Sequence, residues 1–351
     1  MKILKIIGII IIAIAVIFIF LILYASVTDY RPNEKTQVFT SSSPGTLSDS
    51  AELNLLIWNI GYSGLDKSMD FFYDGGKQVR TSKGNTSNNL VAVTDFLKQN
   101  DSVDFIMLQE VDKHSKRSYE INEVDTIIKS LSGYNACFGM NYDVFYVPLP
   151  FISPMGKVKS GILTLGKTVP SSSVRYSFPG NYAWPKSLFM LDRCFLVNRY
   201  PLTNGKELVL INTHNSAYDD GSLRKKQMEY LKSFLIKEYT KGNYIIVGGD
   251  WNQSPAGFRP GYANHPFDTV NVTYVSPDFM APTWHWLYDK SQPSNRRVAT
   301  PYDPEKTPTT VIDFYLLSPN IEPISVHTED LGFAHSDHQP VIARIRLLGK
   351  K

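Results

Sequence analysis

Ile245-Ile246-Val247-Gly248-Gly249-Asp250-Trp251-Asn252 is the stretch on which the reading of the fold turns. Its first residues form a short β-branched run of the kind found in buried strands. The two glycines that follow let other groups approach the backbone closely. Asp250 and Asn252, two positions apart, can then point a carboxylate and an amide into one site, one to orient or deprotonate a water and the other to hold a phosphoryl oxygen. An isolated Asx turn has the same composition, so the neighbouring stretches must decide.

Working outward, similar runs recur. Leu53-Asn54-Leu55-Leu56-Ile57-Trp58 ends at Asn59, and Phe105-Ile106-Met107-Leu108 ends at Gln109-Glu110. Residues 160–165, 208–212, 244–247, 311–317 and 341–346 read as further strands bounded by turn formers. Residues 89–99 and 223–239 carry apolar side chains at helical spacing, the second through Leu223, Tyr230, Leu231, Phe234 and Leu235. This order predicts an α/β domain with helices packed on sheets. No internal repeat is evident.

Ala334-His335-Ser336-Asp337-His338-Gln339-Pro340 leads into the last strand. His338 can donate to a phosphorane oxygen or a leaving group, and Asp337 can hold a divalent cation. Asp313 falls inside an apolar run, where an unpaired charge is costly, so it needs a partner and His338 is the natural one. His214 closes the run through Thr213, as Glu110 closes its own. A lone strand-end Glu reads as a solvated loop residue and a lone His as a structural one. Together, polar residues ending several strands converge on one edge, where α/β proteins place ligands.

In family order, Trp58-Asn59, Leu108-Gln109-Glu110, Ser160-Gly161-Ile162-Leu163-Thr164-Leu165, Thr213-His214, Gly249-Asp250-Trp251-Asn252, Ile312-Asp313 and Ser336-Asp337-His338 resemble the endonuclease/exonuclease/phosphatase superfamily, the DNase I-like group. The resemblance spans residues 54–347. It implies a four-layered α/β sandwich of two mixed β-sheets flanked by helices, with the site at one edge. It also implies that Glu110 binds Mg²⁺, or Mn²⁺, with Asn59 and Asp337 supporting the metal or its waters. Asp250 would activate the attacking water and Asn252 would fix it or a phosphoryl oxygen. His338, paired with Asp313, would stabilise the pentacovalent phosphorus, and His214 would contact the phosphate or assist the leaving group. Hard oxygen ligands suit such a metal better than thiols. Tyr142 lies near a substrate-contacting Tyr of many members, and Lys157 and Lys159 precede the Gly161 strand where they could meet a substrate phosphate. Arg224 and Gln227 also match a family pattern but read equally well as a surface Arg and a packing Gln, so they stay outside the catalytic set.

The 351 residues, 43% hydrophobic and 20% charged, suffice for one large core. A net charge of +3 is too mild to demand a polyanionic partner. Cys137 and Cys194 fit neither a disulfide framework nor a zinc site and read as small buried hydrophobes. After a short tail, 1–5, residues 6–25 form an uncharged apolar run that at about 1.5 Å per residue spans a hydrocarbon core of about 30 Å. A cleaved signal peptide is the alternative, but Tyr24-Ala25-Ser26-Val27 is a poor cleavage site. Lys2 and Lys5 before the span favour a cytoplasmic N-terminus and an extracytoplasmic domain. Residues 26–51, polar and rich in Ser, Thr and Pro, read as a flexible stalk, with the catalytic domain at 52–349.

The substrate stays open at this level. A Mg²⁺-dependent phosphodiesterase is expected, acting on lipid in the manner of a sphingomyelinase or, alternatively, on extracellular nucleic acid or inositol phosphates. Only Arg296-Arg297, in the loop 282–310, looks suited to tracking a nucleic-acid backbone. Trp284-His285-Trp286 and Tyr182-Ala183-Trp184-Pro185 offer aromatics for a membrane interface or for the core. No obligate protein partner is implied. An inactive binding module would have lost Glu110, Asp250 or His338, which are all present, and a serine hydrolase would need a Gly-x-Ser-x-Gly turn.

Overall fold

The computed structural model describes residues 2–349. In chain order the elements are α1 (Lys2–Val27), β1 (Lys35–Thr40), β2 (Glu52–Asn59), α2 (Lys83–Gln99), β3 (Phe105–Asp112), α3 (Glu123–Ser130), β4 (Asn135–Val147), β5 (Gly156–Gly166), β6 (Ser172–Ser177) and β7 (Cys194–Pro201). They continue with β8 (Glu207–His214), α4 (Ser222–Thr240), β9 (Tyr244–Asp250), β10 (His285–Leu287), β11 (Asn295–Arg296), β12 (Thr309–Thr310), β13 (Asp313–Leu317), β14 (Ile321–Thr328) and β15 (Val341–Leu347).

Two large mixed sheets stack face to face. One has six strands in the order β14-β15-β2-β3-β5-β4, the other seven in the order β1-β6-β7-β8-β9-β13-β10. Each is antiparallel except for one parallel pair near its centre, β2 with β3 and β8 with β9. Leu55, Ile57, Phe105 and Met107 from the first sheet meet Leu208, Leu210, Ile246 and Tyr315 from the second in a dry inter-sheet core. The outer faces are covered by helices. Leu90, Val93 and Leu97 of α2 and Val124 and Ile127 of α3 pack on the six-stranded sheet, while Met228, Leu231 and Leu235 of α4 pack on the other. These strands are apolar on both faces because both are buried, which is why they read as unbroken hydrophobic runs. The result is the four-layered α/β sandwich expected from the resemblance.

Several expectations change. Residues 26–51 are not a free stalk: β1 pairs antiparallel with β6 as the edge of the seven-stranded sheet, and Gly45 and Leu47 donate backbone hydrogen bonds to Val169 and Pro201. A Ser-, Thr- and Pro-rich composition does not register backbone pairing on an open sheet edge. Trp284 is buried, and Trp286 packs edge-on to Trp251 and Phe314, so this aromatic pair belongs to the core under α4 and not to a surface. Trp184, by contrast, is exposed. Both cysteines are buried and free, beside Ile162 and Leu196.

Candidate active site

The two parallel pairs end at the same edge of the sandwich. In the seven-stranded sheet His214 and Asp250 stand opposite each other as the last residues of β8 and β9, and Asp313, first residue of β13, pairs with Asp250 from the other side. Asp313 therefore opens its strand instead of lying within it. In the six-stranded sheet Asn59, last residue of β2, is opposite Gln109. Glu110 enters through a bulge, where the β3–β5 register shifts between Leu108 and Val111 and Glu110 takes a φ of +53°. A non-glycine residue held at positive φ costs energy, and here the distortion turns a carboxylate out of the strand toward the edge. Asp337 and His338 precede β15, whose Val341 pairs with Ile57.

Two glycines make the convergence possible. Gly249 has a φ of +140°, and a Cβ on it would lie 2.1 Å from the Thr213 carbonyl oxygen. Gly61, at +52°, would bring a Cβ within 2.9 Å of Asp337 Oδ1.

His338 Nδ1 lies 2.8 Å from Asp313 Oδ2, which also accepts from Ser294 Oγ at 2.7 Å. On its other side Nε2 is met by Asn295 Nδ2 at 3.0 Å and lies 3.8 Å from Asp250 Oδ2. Burial opposes a charged imidazole here, but Asp313, Asp337 and Asp250 outweigh it and hold the His338 pKa well above its usual value. Asp250 accepts from the Asn252 backbone at Oδ1 and from Asn59 Nδ2 at Oδ2. Burial lifts its carboxyl to about 6, against the pull of His338. His214 Nε2 lies 3.5 Å from Asp250 Oδ2, yet burial and then the cations Arg193, His338 and Arg117 push its pKa well below the ordinary range. One imidazole is thus biased to be charged and the other neutral.

Which residues fit a cation follows from these commitments. Asp250, Asp313 and His338 bring potential ligand atoms within 4.8 Å of one another. In that trio, however, His338 Nδ1 and Asp313 Oδ2 already satisfy each other. Glu110 and Asp337 form the better donor set. Burial lifts Asp337 to about 7, reinforced by Glu110 and Asp74 and opposed by His338 and Arg296, so a hard cation between the two carboxylates would relieve the strain of burying like charges. Asn59 Oδ1 accepts from the Gly61 backbone, and its Nδ2 donates to Asp250 Oδ2 at 3.0 Å and faces Glu110 Oε1 at 3.4 Å, so its side chain ties the two carboxylates together.

Glu110, His214, Asp250, Asp337 and His338 line a cavity of about 470 Å³ together with Asn252 and Tyr142, with Asn59 and Asp313 set back from its wall. Tyr142 presents its ring, since its hydroxyl is spent on the Phe189 carbonyl. Lys157 and Lys159 stay outside the cavity: along β5 they share the parity of Leu163 and Leu165 and fall on the outer face, Lys159 paired with Asp143. Arg296 is buried and donates to the Asp66 carbonyl, and it lines the cavity together with the half-buried Arg297.

Sequence reasoning missed Arg117 and Arg193, both cavity-lining. Asp112 grips Arg117 through two nitrogens, which brings Nη1 to 3.8 Å from Glu110 and lays the guanidinium over the Tyr62 ring. Nothing in the spacing of Asp112 and Arg117 announces this; a carboxylate following Glu110 by two residues was the one available signal. Arg224 and Gln227 also reach the cavity, where Gln227 braces the loop after His214 through Ser216 and Arg224 donates to the Asn252 carbonyl.

Residues 56–338 match the model of the Endonuclease/Exonuclease/phosphatase family, and the chain belongs to that family. It is accordingly an enzyme of the phosphoric ester hydrolase class, in which dependence on a divalent metal is typical. No curated protein matches the sequence. Among solved structures it is similar to an endonuclease/exonuclease/phosphatase from Beutenbergia cavernae, with 16% identity, a TM-score of 0.56, and coverage of 85% of this chain and 72% of that one. It is also similar to D. rerio TDP2 complexed with a single-strand DNA product, at 15% identity and TM-score 0.54 over 84% and 99% of the two chains. ANGEL2, a 2′,3′-cyclic phosphatase in complex with adenosine-2′,3′-vanadate, aligns at 14% identity and TM-score 0.56 over 88% and 100%. At these identities the likeness concerns the fold.

Proposed function

We propose that the chain is a membrane-anchored, Mg²⁺-dependent phosphodiesterase, with Mn²⁺ as a possible substitute, that acts on phosphodiesters presented at a lipid surface. The observation that carries the chemistry is the convergence of Glu110, Asp337, Asp250, His214 and His338 on one cavity. A cation held by Glu110 and Asp337 would neutralise phosphate charge and polarise the ester.

The remaining work falls to the chain's own groups. Asp250, lifted to about 6, suits acceptance of a proton from a water at neutral pH as the water oxygen bonds to phosphorus. Asn252, whose Nδ2 is tied to the Asn215 carbonyl, would align that water or a phosphoryl oxygen. A charged His338 would donate from Nε2, which faces the cavity beside the Asn295 amide, to a phosphate oxygen. Asp313 holds the ring in that pose. Neutral His214 would contact the phosphate as the bond to the leaving oxygen breaks, and that oxygen would take its proton from His338, whose pKa is held high.

The lipid preference is supported by α1, a 26-residue apolar helix of which Ile22 is the buried member, and the same helix supports a single-pass anchor with an extracytoplasmic domain. A nucleic-acid substrate is the second reading, supported by the fold shared with TDP2 in complex with a single-strand DNA product and with ANGEL2, a 2′,3′-cyclic phosphatase. The test is hydrolysis by the full chain in vesicles, with Mg²⁺ or EDTA, of sphingomyelin, plasmid DNA and inositol phosphates, beside His338→Ala and Asp250→Ala. Metal-dependent cleavage of the lipid, lost in both variants, is expected. Cleavage of DNA alone would replace the lipid reading with the nuclease one, and intact substrates throughout would favour a binding module.

A further inference from the structure

The β4–β5 hairpin outruns its sheet. The pairing of β3 with β5 ends at Asp112 opposite Ser160, whereas β4 and β5 continue to Val147 opposite Gly156. The overhang and the loop at its tip carry large apolar side chains turned to solvent: Phe145, Leu149, Phe151 at 86% exposure and Ile152 at 102%. Trp184 joins them from the segment before β7. Isolated exposed hydrophobics need no explanation, but a clustered set marks a surface with something to meet.

What it meets is indicated by its neighbour. Trp184 Nε1 donates to Ser26 Oγ at 3.2 Å, and Phe145 packs edge-on to Tyr24 at a centroid distance of 4.7 Å. Both partners lie in the last turn of α1. Apart from Ile22, which is buried, the rest of that helix projects from the body with its apolar side chains exposed. Only residues 28–34 separate α1 from β1, which is locked into the sheet. A bilayer covering α1 therefore has its boundary near Tyr24, at the level where Phe145 and Trp184 touch the helix. Aromatic side chains are favoured at that depth, and Lys186, exposed beside Trp184, has the charge for the headgroup layer.

We infer that Phe145, Leu149, Phe151, Ile152 and Trp184 form a docking surface that dips into the lipid leaflet from which α1 emerges. The inference rests on the anchored reading above. It has a consequence for the active site, because the same two segments supply Tyr142 and Met155, and Tyr182 and Met190, to the cavity wall. The surface holds the cavity at the lipid boundary instead of leaving it to diffuse on a tether.

The experiment uses the full chain reconstituted in phosphatidylcholine–phosphatidylglycerol vesicles, with single cysteines carrying an environment-sensitive fluorophore at Ile152→Cys, Ile14→Cys and Lys237→Cys. The native thiols are buried, and burial raises that of Cys137 to about 11, so the introduced site is the one labelled. The probe at 152 should be blue-shifted and quenched several-fold more than that at 237 by lipids spin-labelled high on the acyl chain. The probe at 14 should respond most to deep labels. If 14 is quenched while 152 behaves like 237, the anchor stands and the docking surface fails. If neither is quenched, the anchor reading fails and takes the inference with it. Self-transfer between 152 probes without lipid quenching would mean that a second copy covers the patch, which also overturns it.

Discussion

The two sheets deliver their chemistry to the shared edge in different ways. The seven-stranded sheet uses regular pairing: His214, Asp250 and Asp313 occupy consecutive strands in direct register, each nearly inaccessible to solvent. The six-stranded sheet breaks its ladder to do so, with Glu110 in a bulge at positive φ and its carboxylate 24% exposed. The contrast suits a division of labour. On the roles proposed above, burial shifts the pKa values of Asp250 and His214, whereas Glu110, more open to solvent, would take up a hydrated cation; His338 and Asp337 enter from the loop before β15.

The sharpest way to break that division is to neutralise one carboxylate on each side. Asp250→Asn should lower kcat by about 10³-fold or more, and added Mg²⁺ should not restore it. Glu110→Gln should be comparably weak at low Mg²⁺ yet recover as the metal is raised, its defect residing in metal affinity. Reversed responses in a metal titration of initial rates would reverse the assignments.

Asp313→Asn should cost about 10²–10⁴-fold in kcat with KM little changed, as expected of a partner that orients a catalytic His. It also removes a carboxylate that raises the His338 pKa, so the alkaline limb of the pH–rate profile should move to lower pH. No movement would separate His338 from that limb.

The glycines test the register itself. Gly249→Ala forces a Cβ into the Thr213 carbonyl and should lower stability by about 3 kcal/mol or more, while Gly61→Ala, meeting a side-chain oxygen that can yield, should cost about 1–3 kcal/mol. Thermal melts of the two variants rank them directly.

The smallest expected effect concerns a glutamate on each outer helix. Glu238 on α4 is buried; Arg199, Lys241 and Asn243 overcome that burial and hold its carboxyl down at about 2. Glu123 on α3, buried against Asp112, is raised well above 4.5. Glu238→Gln should therefore destabilise by about 1–3 kcal/mol at neutral pH, the loss fading as pH falls from about 4.5 toward 2, where the native carboxylate is itself protonated. Glu123→Gln should be neutral or stabilising at pH 7, because a carboxyl with a raised folded pKa loses stability as pH climbs above 4.5. Urea titrations across pH 3–8 would expose any common sign.

The sequence by itself determined which segments become central strands, because a strand covered on both faces must be apolar throughout, and the run from Ile245 to Val247 declares this without help. It also determined that polar residues end those strands, and a buried Asp313 required a partner that His338 supplies at 2.8 Å. Edge strand β1 was illegible because an edge position asks little of its side chains and depends on finding β6, far along the chain. Lys157 and Lys159 fall outside the cavity because nearness along a strand does not decide the face, and Arg117 and Arg193 line it because a guanidinium reaches a site through space. The bulge at Glu110, the clamp at Asn59 and the opposed pKa shifts of His214 and His338 were decided only by the tertiary structure. Each depends on groups distant in sequence sharing a small, poorly solvated volume, where a shift of an ångström changes the electrostatic energy more than any local preference does.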